Sequence, residues 1–182
     1  FFNLPEDLDD TLASGKKGLI VYFGQKNCAY CQALQKDNLS KGDLVHYLRA
    51  HFDVVGLNTH SIEKITGMDG KSMPINEFAI SQKAQLTPTL LFYVKGRKLA
   101  LKLVGYYPPY KMRAALEYVA DGHYQSKSFA EYLEQANPPP LFADETLIPD
   151  PLFSRPPFAL DRSRFAARSP LLVIFEQPRC HA

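Results

Sequence analysis

No stretch of this 182-residue chain approaches the roughly 20 consecutive apolar residues that a membrane-crossing helix needs. The runs "GLIVYFG" at 18–24 and "PLLVIFE" at 170–176 are strand-length. Charge is nearly balanced at +2 and no basic cluster stands out, which argues against nucleic acid as a partner. Three cysteines are too few for the framework that holds small disulfide-rich domains. His46, His51, His60 and His123 fall in no ligand pair, so none is assigned a metal. There is no signal peptide, and the chain opens on Phe1 rather than Met; the expectation is that a leader has already been removed.

What is present is ordinary globular material, 46% hydrophobic and 22% charged, enough for a real core. Leu4, Leu8 and Leu12 recur at helical spacing, with Pro5, Glu6 and Asp7 suited to a first turn and Gly15 to an end. The apolar run 18–23 reads as a buried strand. A helix follows over about 28–38. Ser40 and Asp43 form a capping-box pattern for a further helix over 43–51. Residues 52–58 read as a second strand. The segment 59–75 looks irregular, with Asp69-Gly70 as a hairpin turn. A short helix is expected over 76–84, then two strands within 87–106 joined at Lys95-Gly96. Pro109 opens a helix with Met112, Leu116 and Val119 on one face, closed by Gly122. Ser128 and Glu131 cap a last helix that Pro138 stops. Strands alternating with helices, then an antiparallel pair, predict an α/β fold with a mixed central sheet and helices on both faces.

Three units are expected: a domain over 1–136, a proline-rich extended linker over 137–169, and the truncated start of a second unit over 170–182. The linker should touch the first domain mainly through Leu141, Phe142, Leu152, Phe153 and Phe158. The last unit rests on self-similarity. "LIVYFGQKNC" at 19–28 aligns without gaps on "LLVIFEQPRC" at 171–180, so that Leu19, Val21, Phe23, Gln25 and Cys28 recur as Leu171, Val173, Phe175, Gln177 and Cys180.

Cys28 and Cys31 carry the chemistry. A C-x-x-C at a helix start holds both sulfurs within bonding distance across one turn. The first lies where unpaired backbone N–H groups and the helix dipole favour an anion. That lowers a thiol pKa from about 8.5 towards neutral, making a nucleophile. The second, a turn deeper, can attack a mixed disulfide and release the partner. The same pair could instead be a structural staple, or a redox site that has lost its function. A zinc site built from Cys28, Cys31, Cys180 and His181 is a further reading, though adjacent ligands are awkward for one tetrahedral ion and the repeat already accounts for Cys180. A second constellation is "LTPT" at 86–89. A proline opening a buried strand lacks a ladder donor, and a cis Thr87-Pro88 bond would account for it.

Over residues 15–122 the chain resembles the thioredoxin superfamily, on the strand "GLIVYF", the motif "CAYC", the "TP" before a strand, the Lys95-Gly96 hairpin and "VGY" at 104–106. "MDG", "TPTLLFY", "GYYPP" and "LEYVADGHY" make it most similar to periplasmic thioredoxin-like reductases, the SoxW type and the C-terminal domain of DsbD. The resemblance implies a thioredoxin fold and a thiol:disulfide oxidoreductase that reduces or isomerises protein disulfides through a mixed disulfide. It implies Cys28 as nucleophile and Cys31 as resolving thiol. Pro88 would be cis against the disulfide, and Thr87 would offer its backbone to an extended substrate as an added strand. Ala29, Tyr30, Val104 and Gly105 would complete the substrate groove. It implies no cofactor and no metal, an extracytoplasmic location, protein disulfides or dithiols as partners, and an upstream membrane electron donor. The chain departs from the family pattern at Asn27, where tryptophan is usual, at Ala29-Tyr30 in place of Gly-Pro, at Tyr22 in place of a buried aspartate, and at Gly56 in place of a lysine. The thiol pKa and redox direction therefore do not carry over. The other class of function open to the sequence is a binding module that presents loops 86–88 and 104–106, its cysteines incidental.

Overall fold

The apolar run read as a buried strand is an inner strand of a four-stranded sheet. The structure is a computed structural model describing residues 2–40 and 42–135. Strand β2 (Gly18–Gly24) pairs in parallel with β3 (Phe52–Asn58) and antiparallel with β6 (Thr89–Val94), and β6 pairs antiparallel with β7 (Lys98–Val104). The order is β3-β2-β6-β7, a mixed sheet as expected. A second, three-stranded sheet runs β1-β4-β5, from β1 (Phe2–Asn3), β4 (Lys64–Thr66) and β5 (Ser72–Pro74).

The helices are α1 (Leu4–Ala13), α2 (Ala29–Asn38), α3 (Gly42–His51), α4 (Ile75–Ser81), α5 (Pro109–Ala120) and α6 (Phe129–Gln135). Because side chains alternate along β2, the strand feeds two cores. Leu19, Val21 and Phe23 pack with Leu4 and Leu8 of α1 and with Phe78 of α4. Ile20 packs with Leu34 of α2, Leu44 of α3 and Met112 and Leu116 of α5. Each fully buried Leu, Ile or Phe contributes about 1.5–3 kcal/mol of transfer free energy. Among the described residues no helix is long and apolar enough to cross a membrane, and no cluster of three or more His, Cys, Asp or Glu side chains could hold a metal ion.

Three local expectations change. The segment 59–75 is not irregular: β4 and β5 form a hairpin whose turn contains Gly70 at φ +78°. Ser40 does not cap α3; its hydroxyl donates back to the Lys36 carbonyl at the end of α2. A two-residue strand, β1, pairs in parallel with β4, a contact no periodicity announced. The capping box at α6 does form. The Glu131 carboxylate accepts from the Ser128 N–H at 2.7 Å, and the Glu131 N–H donates to the Ser128 hydroxyl at 3.3 Å. The linker at 137–169 with its five apolar contacts, the unit at 170–182, Pro138, Cys180 and His181 lie outside the described residues.

Candidate functional site

Strand β2 ends at Gly24, and three exposed residues later the chain turns into α2. Asn27 makes that turn at φ +57°, in the left-handed region that asparagine tolerates better than most residues. Cys28 is the N-cap of α2. Its sulfur accepts the Cys31 N–H at 3.0 Å, so one otherwise unpaired helix N–H points at it. Cys28 and Cys31 are joined as a disulfide, S–S 2.09 Å and Cα–Cα 5.2 Å. Ala29 and Tyr30 between them are exposed, Tyr30 at 65%. Residue exposure does not separate the two cysteines, at 7% and 5%; the N-cap position does.

The Thr87-Pro88 peptide is cis. Thr87 lies against the disulfide. The Thr87 carbonyl oxygen lies 3.6 Å from the Cys28 sulfur, and the Thr87 hydroxyl donates to that sulfur at 3.4 Å. Pro88 is buried beside it, and its carbonyl accepts the Gly105 N–H at 2.7 Å. Gly105 sits at φ +88°, where a side chain would be strained, and a Cβ there would meet nothing within 4 Å. Val104 before it is 42% exposed, and Leu86 beyond Thr87 is 71% exposed. Cys28, Thr87, Pro88 and Gly105 thus form one chain of contacts, with Ala29 and Tyr30 on the α2 side and Val104 next to Gly105.

Two residues that hold this arrangement were not singled out from sequence. Asn38, fully buried at the end of α2, donates from Nδ2 to the Tyr107 carbonyl at 3.0 Å. Its neighbour Asp37 accepts the Tyr106 hydroxyl at 2.7 Å. Burial first, then this bond to a carboxylate, push the Tyr106 phenol up to about 12. The far end of the cysteine helix is therefore tied to the loop that carries Gly105. A polar residue at a helix end reads as an ordinary terminus in sequence, and nothing local marks a partner 69 positions away.

Beside the disulfide lies a cavity of about 400 Å³, lined by both cysteines, Tyr22, Gln32, Gln35 and the turn residues 24–27 among others. On the far side of Tyr22 is a second, apolar cavity of about 260 Å³ between the sheet, α2 and α3. Two of the departures from the family pattern, Tyr22 and Gly56, are register partners across β2 and β3.

The thioredoxin-like domain family matches residues 4–120, which includes β2, both cysteines, the cis proline and α5. No curated protein matches the chain in sequence. Among solved structures, a thioredoxin-fold protein from Helicobacter pylori is similar at 28% identity and a TM-score of 0.57, over 66% of this chain and 80% of that one. A thioredoxin from Thermus thermophilus is similar at 26% identity and a TM-score of 0.51, over 65% of this chain and 84% of that one. The match spans most of the described residues, and a disulfide-bonded C-x-x-C caps the helix after the central strand: this chain belongs to the thioredoxin-like domain family.

Proposed function

We propose that the Cys28–Cys31 pair cycles between disulfide and dithiol and reduces or isomerises disulfides in other proteins. The observation that carries this reading is a disulfide at a helix N-cap whose first sulfur is also touched by Thr87. In the reduced state a Cys28 thiolate there receives the Cys31 N–H and the Thr87 hydroxyl, both of which favour the anion. Cys28 attacks a substrate disulfide, one S–S bond forming as another breaks, and Cys31 then displaces the substrate thiol. An extended substrate segment lies over Thr87, Pro88, Val104 and Gly105, with Ala29 and Tyr30 at its other side. The electrons come from an upstream dithiol, and an extracytoplasmic setting with a membrane donor suits the subgroup resemblance. No cofactor is required by this chemistry.

Reduction of insulin by dithiothreitol, catalysed by the intact chain and lost in Cys28→Ala, tests the reading. Cys31→Ala should accumulate mixed disulfides with substrate. A glutathione titration of the pair sets direction: a potential near −270 mV belongs to a reductant and one near −120 mV to an oxidant. Wild-type protein without turnover, whose partner binding survives Cys28→Ala, would instead establish a binding module.

A further inference from the structure

Opening the disulfide places a charge on Cys31. An incoming thiolate bonds to the Cys28 sulfur as the Cys28–Cys31 bond breaks, and that electron pair leaves on the Cys31 sulfur. One S–S bond forms, one is lost, and no external oxidant or reductant enters the step. Cys31 is 5% exposed, and burial disfavours a thiolate. The N–H at the helix start that could relieve this, its own, is directed at Cys28 instead.

The cavity of about 400 Å³ beside the pair supplies the other neighbours. Its lining has two titratable residues besides the cysteines, Tyr22 and Lys26, and Lys26 is exposed. From α2 it receives Gln32 and Gln35, and from β3 Gly56, Leu57 and Asn58, none of which titrates. On the apolar side of Tyr22 the charged neighbour is Arg49 of α3, while β6 and α5 present Leu90 and Met112.

Gly24 leaves the room that the Tyr22 ring occupies. A Cβ on Gly24 would lie 2.7 Å from the Tyr22 hydroxyl oxygen and 2.8 Å from its Cε1, so the ring runs along Gly24 in space that any other residue would fill. Gly56, its register partner, would bring a Cβ no nearer than 4.0 Å to Cδ1. The phenol therefore extends along β2 towards the strand end where the cysteines sit. Burial raises its pKa above the ordinary phenol value, so it keeps its proton at neutral pH. The Gln35 side chain, which lines the same cavity, opposes that shift.

We propose that the Tyr22 hydroxyl donates a hydrogen bond to the Cys31 sulfur when the disulfide opens. It stabilises that thiolate both as leaving group and as resolving nucleophile; this role in turnover rests on the function proposed above, whereas the effect on thiol acidity does not. In full-length protein carrying Cys28→Ala and Cys180→Ala, Cys31 is the single thiol, and carbon NMR of labelled cysteine reads its titration. Adding Tyr22→Phe, which keeps the ring, should raise the Cys31 pKa by about one unit, about tenfold less thiolate near neutral pH. Adding Gly24→Ala, which keeps the phenol but displaces it, should raise it as well. Unchanged Cys31 titration in both variants overturns the proposal, and either variant that fails to fold leaves the other to decide. Insulin reduction by otherwise wild-type protein is scored separately. Turnover with an unmoved Cys31 titration sinks this inference alone, and a moved titration without turnover sinks only the proposed function.

Discussion

The two faces of the central sheet are built from the same strands and packed differently. On the face covered by α1 and α4, Leu4, Leu8, Val21, Phe23, Ile65 and Leu91 are fully buried, and Phe23 meets Phe78 with ring centroids 5.9 Å apart. The face covered by α2, α3 and α5 holds seven of the ten tyrosines, at positions 22, 47, 106, 107, 118, 124 and 132. It also holds the buried Asn38 and the apolar cavity of about 260 Å³. Both faces bury large side chains fully, Phe52, Phe92 and Leu116 among them, and both carry cavities; what differs is the chemistry on the side that carries the cysteine helix. There the chain places amphipathic rings whose hydroxyls tie loops to helices, and it leaves space beneath the disulfide. Both faces hold the fold, and the second also carries the helix with the cysteine pair.

Leu90 and Leu91 test the two faces most directly, since they are neighbours on β6 that point to opposite faces. Leu91→Ala should destabilise by about 4 kcal/mol, because a close-packed site collapses poorly onto the void. Leu90 already borders an open cavity and lacks partner atoms on that side, so Leu90→Ala should destabilise by only about 2 kcal/mol. Urea denaturation of the two variants reads the difference; equal losses would mean the faces are equally packed. Tyr106→Phe comes next. It removes a bond to a carboxylate and should destabilise by about 1–2 kcal/mol. It should also speed amide exchange at 104–107 while leaving exchange on β2 unchanged. Loss spread evenly over the sheet would show that the bond serves the whole fold rather than one loop.

What could be read from the sequence follows the same division. The α1 and α4 face is written in local periodicity, so Leu4, Leu8 and the run 18–23 announced it. The start of α2 was legible because the N-cap cysteine and its partner lie three residues apart, and Thr87-Pro88 because a proline opens a buried strand. The slot for Tyr22 was not. It needs Gly24, two residues on along the same strand, to leave the ring its room, and the alternation of side chains along a strand does not announce that. Tyr22 was visible as a departure from the family and Gly56 as another, but nothing in one sequence says that the two face each other. The β4–β5 hairpin was missed because Lys64, Thr66 and Ser72 give it little apolar signal, although its turn at Asp69-Gly70 was read. Ser40 was misassigned because a serine between two helices can bond backwards as well as forwards, and local competition of that kind has no sequence marker.

The rim of the α1 and α4 face supplies the smallest test. Asp53 of β3 accepts from Lys16 Nζ at 2.5 Å and from the Thr11 hydroxyl at 3.0 Å. The Lys16 bond first, then the Thr11 bond, hold its carboxyl below the ordinary aspartate value, against the opposing effect of burial. The folded state therefore binds this proton less readily than the unfolded chain. The contribution to stability is present above the ordinary value of 3.8 and is lost as pH falls through the lower folded value. The Asp53 side chain is 45% exposed, so solvent screens the pair, and a few tenths of a kcal/mol is the expected size. Asp53→Asn should lower stability by about that much at neutral pH and low salt. The gap from wild type should shrink at high salt and close in acid, once the wild-type carboxyl is protonated. Thermal unfolding followed against pH at two salt concentrations checks it. A gap that persists in acid would mean that Asp53 acts through packing on Thr11 rather than through charge. The packing of the α1 and α4 face would then extend to its rim.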